Sequence, residues 1–205
     1  MKDFLHKYFG ATKWKRLFDI VVSLASLILL SPLFLIIMTI LFFTPDSNVF
    51  FSHERRGRGG KPFRIYKFQT MKNNAPNCAT NELENPEQYI TKIGAFLRKT
   101  SIDELPQLWN ILKGDMSFVG PRPLISSELR AHRLRLENGV YRFRPGLTGW
   151  AQINGRDDIS LLKKMKLDKE YCDNWSLALD VQILLRSVGV CIRREGYQEG
   201  KIHRR

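Results

Sequence analysis

Ile20-Val21-Val22-Ser23-Leu24-Ala25-Ser26-Leu27-Ile28-Leu29-Leu30-Ser31-Pro32-Leu33-Phe34-Leu35-Ile36-Ile37-Met38-Thr39-Ile40-Leu41-Phe42-Phe43 is a run without a single charge, interrupted only by Ser23, Ser26, Ser31, Pro32 and Thr39. At about 1.5 Å per residue, a straight helix of that length reaches across a bilayer core. The run is too long for a signal-peptide core and no small-residue cleavage site follows it, so retention is expected. Pro32 argues against a straight helix. A mid-helix proline removes one backbone hydrogen bond and crowds the preceding turn, and the Ser31 hydroxyl can serve a freed carbonyl. Lys7, Lys13, Lys15 and Arg16 precede the run, and Arg55, Arg56, Arg58 and Lys61 follow it. Basic flanks prefer the cytoplasmic side. A helix pair that enters, bends at Ser31-Pro32 and returns to the same face satisfies both flanks; a kinked single span satisfies one. Asp19, three residues after Arg16, is expected to form an interfacial ion pair with it.

Outward from this run, Thr44-Pro45-Asp46-Ser47 is a turn-rich boundary. It divides a membrane-associated segment, residues 1–44, from a catalytic domain expected over 45–205. The 205 residues, 43% of them hydrophobic, suffice for one such domain with its own core. The fold expected is α+β and mostly helical: a re-entrant helix hairpin, then a domain with a short β-hairpin and amphipathic interfacial helices. A net charge of +13 calls for an anionic partner: nucleic acid, acidic membrane or phosphorylated substrate. Cys78, Cys172 and Cys191 have no paired spacing and read as reduced thiols, and the four histidines show no zinc pattern.

Within 45–205, Val49-Phe50-Phe51 and Phe63 to Phe68 are β-like and joined through Arg55-Arg56-Gly57-Arg58-Gly59-Gly60, which reads as a hairpin or long turn. Its glycines and arginines suit either a phosphate-binding nest or a solvated basic loop. Lys72 to Gln88 reads as an exposed loop. Helical patterning returns over Ile93 to Arg98 and Leu105 to Leu112, with a stop at Lys113-Gly114-Asp115. Ser101-Ile102-Asp103-Glu104-Leu105-Pro106 sets two adjacent carboxylates at the start of the second helix, because Pro106 fits only in a first turn. There the helix dipole favours ionised carboxylates and bound phosphate. Ser101 and Glu104 equally spell a capping box with no chemical role. Gly120-Pro121-Arg122-Pro123 holds one arginine on a stiff loop, ready for a phosphate or merely exposed. Arg144 to Arg156 is dense in glycine and hydrogen-bonding side chains, as a ligand loop or a packed turn would be. Val181, Leu184, Leu185, Val188 and Ile192 recur at helical spacing, which fits a helix on the core or one on the membrane surface.

Together Lys67-Phe68-Gln69-Thr70-Met71, Asp103-Glu104-Leu105-Pro106-Gln107, Lys113 to Pro123 and Arg144-Pro145-Gly146-Leu147-Thr148-Gly149 resemble the monotopic bacterial polyprenyl-phosphate phosphoglycosyl transferases, the bacterial sugar transferases. The resemblance runs from about Lys13 to Ile192, through several long motifs in one order. It implies transfer of sugar 1-phosphate from a UDP-sugar to polyprenyl phosphate (undecaprenyl phosphate), at the cytoplasmic face of the bacterial inner membrane, with UMP released. Such a reaction starts assembly of a surface glycan or glycoprotein glycan, which downstream glycosyltransferases extend. By the family pattern Asp103 is the nucleophile, and Glu104 with Asp103 holds Mg²⁺. Arg98 and Arg122 contact phosphate; Lys67 and Thr70 contact substrate. Arg144, Arg156, Asp168 and Asp180 fall in matching C-terminal motifs, binding or structural. Ser31-Pro32 matches the family's helix break. Gln69 stands where many members carry a basic residue, and His53 where glutamine is usual.

Other classes fit less of the chain. A basic membrane adaptor explains the charge and the apolar run, not an acidic pair followed by a rigid arginine loop. No helix-turn-helix, RRM or zinc pattern supports nucleic acid as partner. A metal-dependent phosphohydrolase of nucleotide sugars is the nearest enzymatic alternative; it would need no lipid acceptor.

Overall fold

The structure, a computed structural model, describes residues 2–76, 83, 85–155 and 158–193, with backbone alone at 2–12 and 191–193. The apolar run forms two helices, α1 (Lys2–Leu29) and α2 (Ser31–Phe42), bent by 61° at the break. Pro32 lacks the N–H that would serve the Ile28 carbonyl four residues back. Ser31 Oγ donates to that carbonyl instead, at 2.8 Å. Among the described residues no single helix is long and apolar enough to cross a membrane, whereas the bent pair is by length and composition.

One side of the pair packs on the rest of the protein. Leu27 and Leu30 meet Ile65, Leu108, Ile111 and Met116, and Ile37 and Leu41 are buried with Phe68 and Leu97. The other side exposes Val21, Ile28, Leu29, Leu35, Ile36 and Phe42, a continuous apolar surface suited to lipid. Both arms therefore stay on one body, which a single span could not do. The packing of both arms on one body favours the bent pair over a kinked span, and the bent, apolar pair is consistent with a monotopic, membrane-associated protein at the cytoplasmic face.

The base of α1 is docked through polar groups, which corrects the expected Arg16–Asp19 ion pair. Arg16 donates to the Ile111 and Leu112 carbonyls at 2.6 and 2.7 Å. Asp19, 1% exposed, accepts from Ser117 Oγ and the Phe118 N–H, both at 3.1 Å. Lys15 pairs with Asp180 at 2.5 Å. Burial favours this arrangement, because a carboxylate away from water needs donors at close range.

The β-hairpin is β1 (Phe50–Arg56) against β2 (Pro62–Phe68), antiparallel with His53 opposite Ile65. Arg55 and Arg56 belong to β1, and the turn is confined to Gly57–Lys61, where Gly59 and Gly60 adopt φ of 69° and 71°. Then come α3 (Lys92–Thr100), α4 (Gln107–Lys113), β3 (Ser117–Val119) and β4 (Leu124–Ile125), the last adding to the free edge of β1. The chain continues with α5 (Leu129–Glu137), β5 (Gly146–Thr148) parallel to β3, α6 (Trp150–Ile153), α7 (Leu161–Asp173) and α8 (Leu177–Arg193). Val119, Val140, Phe143, Ile153, Tyr171 and Ile183 form the core beneath β3 and β5. Cys172 lies there as a free thiol, and burial pushes its pKa up to about 12. This mostly helical α+β fold is the class expected.

Two local expectations change. In the segment read as an exposed loop, Leu83 and Pro86 are buried, and Pro86–Gln88 forms a 3₁₀ turn; residues 77–82 and 84 lie outside the described residues. On α8 the core-packing reading holds for Ile183 and Leu184, whereas Leu177, Val181, Leu185 and Val188 are exposed. The side chain of Ile192 is outside the described set.

The described part of the 144–156 segment, residues 144–155, is a tight packing element. A Cβ on Gly146 would lie 2.1 Å from the Gly120 nitrogen and 2.3 Å from the Thr148 oxygen. Gly146→Ala is expected to cost about 1–3 kcal/mol through forced separation of the two loops, read as a lower midpoint of thermal unfolding.

Candidate active site at the Asp103–Glu104 turn

Thr91 caps α3 by accepting from the Gly94 N–H at 2.9 Å, and the helix ends where Ser101 turns the chain with φ 57°. A 3₁₀ turn, Ile102–Glu104, then leads into α4. The Ser101 side chain makes no capping hydrogen bond, so the capping-box reading is overturned. The positive φ accounts for the failure, because it aims Ser101 away from the turn it would have to close.

The turn carries Asp103, 8% exposed, next to Glu104. Lys67 on β2 bridges them, with Nζ 2.6 Å from Glu104 Oε1 and 3.6 Å from Asp103 Oδ2. Asn110 of α4 fixes this register. Its Oδ1 accepts from the Tyr66 N–H at 3.0 Å and its Nδ2 donates to the Arg64 carbonyl at 2.7 Å, so the outer edge of β2 is closed by one side chain. Arg98 Nε donates to Thr70 Oγ1 at 2.7 Å, which holds that guanidinium on the Asp103 side of the turn.

Burial raises the Asp103 pKa above the ordinary carboxylate value. Lys67 is the chief opposing influence, Glu104 adds to the rise, and Arg98 lowers it. The expectation that the helix start keeps this carboxylate ionised is thus incomplete: desolvation disfavours the charge, and Lys67 and Arg98 offset it only in part.

Arg122 stands exposed on its proline-flanked loop. Arg135, 3% exposed, holds that loop by donating to the Arg122 carbonyl at 2.7 Å and to Asp168 at 2.6 Å. Arg122, Lys67, Glu104, Gln107, Arg55 and Gly146 line one small open cleft of about 20 Å³. Pockets that enclose a whole ligand run to roughly 300–1,000 Å³, so this cleft is a shallow charged surface and not an enclosing pocket.

The remaining sequence candidates are elsewhere. Arg144 Nε donates to the Gly114 carbonyl at 2.8 Å, at the end of α4 remote from the carboxylates. Arg156 lies outside the described residues. Asp180 accepts from Lys15, from Tyr171 Oη at 2.8 Å and from Trp175 Nε1 at 3.2 Å, a junction between α1 and α8. Gln69 donates to the Met71 carbonyl and Asn73 Oδ1 and so anchors its own loop, while His53 is stacked on Phe51 outside the cleft lining. Sequence reasoning missed Asn110 and Arg135. Asn110 had a signal, as a polar residue on the face of an otherwise apolar helix; Arg135 had none among the basic residues of α5.

Among the described residues no third Asp, Glu, His or Cys joins Asp103 and Glu104 in a metal-holding group. Mg²⁺ commonly takes one or two carboxylates and completes its shell with waters and substrate phosphates. Two adjacent carboxylates, with Glu104 lining the cleft and Asp103 buried beside it, fit that pattern.

Residues 10–194 match the family model described as bacterial sugar transferase. The chain is 44% identical to the uncharacterized sugar transferase EpsL of Bacillus subtilis, over 90% of each chain. It is 39% identical to the exopolysaccharide production protein ExoY of Sinorhizobium fredii, over 89% of this chain and 88% of that one. It is also 40% identical to an undecaprenyl-phosphate galactose phosphotransferase of Salmonella typhimurium, over 89% of this chain and 41% of that longer protein. With the bent membrane pair and the carboxylate turn in place, the conclusion is direct: the chain belongs to the bacterial sugar transferases, enzymes that transfer sugar 1-phosphate to polyprenyl phosphate.

Proposed function

We propose that this protein transfers sugar 1-phosphate from a UDP-sugar to undecaprenyl phosphate in two steps, with Asp103 as the covalent carrier. The observation that carries the reading is the buried Asp103 beside Glu104, both on Lys67, at the head of a cleft that Arg122 lines. In the first step an Asp103 carboxylate oxygen bonds to the sugar-bearing phosphorus, and the bond from that phosphorus to the bridging oxygen breaks. UMP leaves with the electron pair. In the second step an oxygen of the lipid phosphate attacks the same phosphorus and the bond to Asp103 breaks, which restores the carboxylate and yields polyprenyl diphosphate sugar. Dividing the transfer lets one site serve two bulky anions in turn.

Lys67 has two roles in this scheme: it favours the ionised Asp103, and it offsets charge as the donor's phosphates arrive. Arg98 and Arg122 are assigned phosphate contacts, with Thr70 orienting Arg98. Arg144 is assigned support of α4 through Gly114, and Arg156 keeps a binding role by family motif alone. Glu104 and Asp103 would hold Mg²⁺, whose chemistry is neutralisation of the diphosphate so that an anion can approach.

The test is incubation with Mg²⁺ and a panel of UDP-sugars, without lipid, followed by intact mass. A phosphosugar adduct that disappears when undecaprenyl phosphate is added supports the proposal. UMP formed only in the presence of lipid, with no adduct from any donor, would favour direct transfer. Release of free sugar phosphate without lipid would mark a phosphohydrolase.

Lys67→Gln gives a second check. Without the ammonium, burial and Glu104 act on Asp103 with less opposition, so its pKa rises further. The nucleophile must be ionised, so the acid limb of the pH profile of adduct formation is expected to move to higher pH than in the wild type.

A further inference from the structure

Arg55 is a charged cleft residue that the proposed mechanism does not employ. It sits on the central strand β1, opposite Phe63 on one side and Ile125 on the other. Its Nε is buried and has no hydrogen-bond partner among the described residues, and no ion pair to its guanidinium is found among them either. The acidic groups that face it are engaged with others: Glu128 accepts from the Ile125 N–H at 2.8 Å and Glu104 accepts from Lys67. Arg122 lines the same cleft with a second guanidinium. Burial, then Arg122, bring the Arg55 pKa down to about 10. Two guanidiniums lining one cleft, one of them desolvated and without an ion pair among the described residues, are offset only in part by the charges of Glu128 and Glu104. An anion between them removes the repulsion and supplies acceptors, and planar guanidiniums match phosphate oxygens in particular.

We propose that Arg55 is a substrate-binding residue that joins Arg122 in gripping one phosphate group within the cleft. The inference rests on the transferase reading for the source of that phosphate, which is either the donor diphosphate or the lipid phosphate; the grip itself follows from the two arginines. A purely structural Arg55 predicts the opposite behaviour on substitution. Removing a structural arginine lowers stability, whereas removing an unpaired buried cation leaves the ligand-free protein as stable as before or more so.

The experiment uses the full chain in detergent, with Arg55→Gln and Arg55→Lys. Thermal midpoints are measured against inorganic pyrophosphate and UDP, and binding of undecaprenyl phosphate is measured in nanodiscs. A ligand that binds only the folded state raises the midpoint by an amount that grows with the logarithm of its concentration over its Kd. The expected result is a ligand-free midpoint of Arg55→Gln at or above wild type, with phosphate affinity lower by about tenfold or more. Weakened UDP with unchanged lipid binding assigns the donor, and the reverse assigns the acceptor; either supports the grip. Affinity for all three probes within twofold of wild type overturns it, as does a lowered ligand-free midpoint with affinity retained. If Arg55→Gln does not fold, Arg55→Lys decides, because it keeps the charge and loses the fork: a loss of about tenfold or more supports the grip and wild-type affinity overturns it. None of these readouts needs turnover, so absence of UMP formation would overturn the transferase proposal while leaving this one to its own result.

Discussion

Asp103→Asn is expected to eliminate the phosphosugar adduct and to lower UMP formation by roughly ten-thousand-fold or more, the scale seen when a covalent nucleophile is removed. The amide has nearly the shape of the carboxylate but no charge with which to attack phosphorus. Its fold should survive, and for a stated reason: burial already disfavours a charge at this position, so a neutral isostere fits there at no loss of packing. The mutant therefore separates chemistry from structure. Intact mass and UMP release, compared with the unfolding midpoint of the same preparation, check both halves. A mutant that still accumulates adduct would remove Asp103 from the nucleophile's place.

Asp168→Ala is expected to produce the largest loss of stability, about 3–5 kcal/mol, because it leaves the Arg135 guanidinium buried without its counter-charge. Both partners are 3% exposed and the pair is 2.6 Å apart, so solvent cannot substitute. Arg135 also holds the Arg122 carbonyl, so activity should fall beyond what the folded fraction explains. Replacing both members by apolar residues, Arg135→Met with Asp168→Leu, should recover much of the stability. It should not recover activity, because the loop that presents Arg122 loses its tether. Denaturant unfolding with steady-state kinetics on the same variants distinguishes the two effects.

The elements legible in the sequence were those with strong local signals. The apolar run, its Ser31-Pro32 break, the hairpin strands and the stop at Gly114 are written in hydropathy, proline geometry and a left-handed glycine, whose φ is 99°. The carboxylate pair was legible because Pro106 confines it to a helix start. What the sequence concealed were long-range partners. Arg16 and Asp19 are three residues apart and invite an i,i+3 pair, yet each is bonded to groups about a hundred residues away. Ser101 and Glu104 spell a capping box, yet the chain turns left-handed at Ser101. Arg55 read as one basic flank residue among four, and only the pairing of β1 with both neighbours puts it in the cleft. In each case tertiary contacts decided between local options of similar energy.

The docking of Arg16 on the last carbonyls of α4 has a mechanical consequence. The helix pair in the lipid and the helix that follows the reactive turn share one packed and hydrogen-bonded contact, with no linker between them. A displacement of the pair is therefore expected to be passed to α4 through these contacts. On the proposed mechanism, the height at which Asp103 meets a lipid acceptor is expected to follow the seating of the helix pair, so adduct turnover measured in bilayers of different thickness is expected to vary with that thickness.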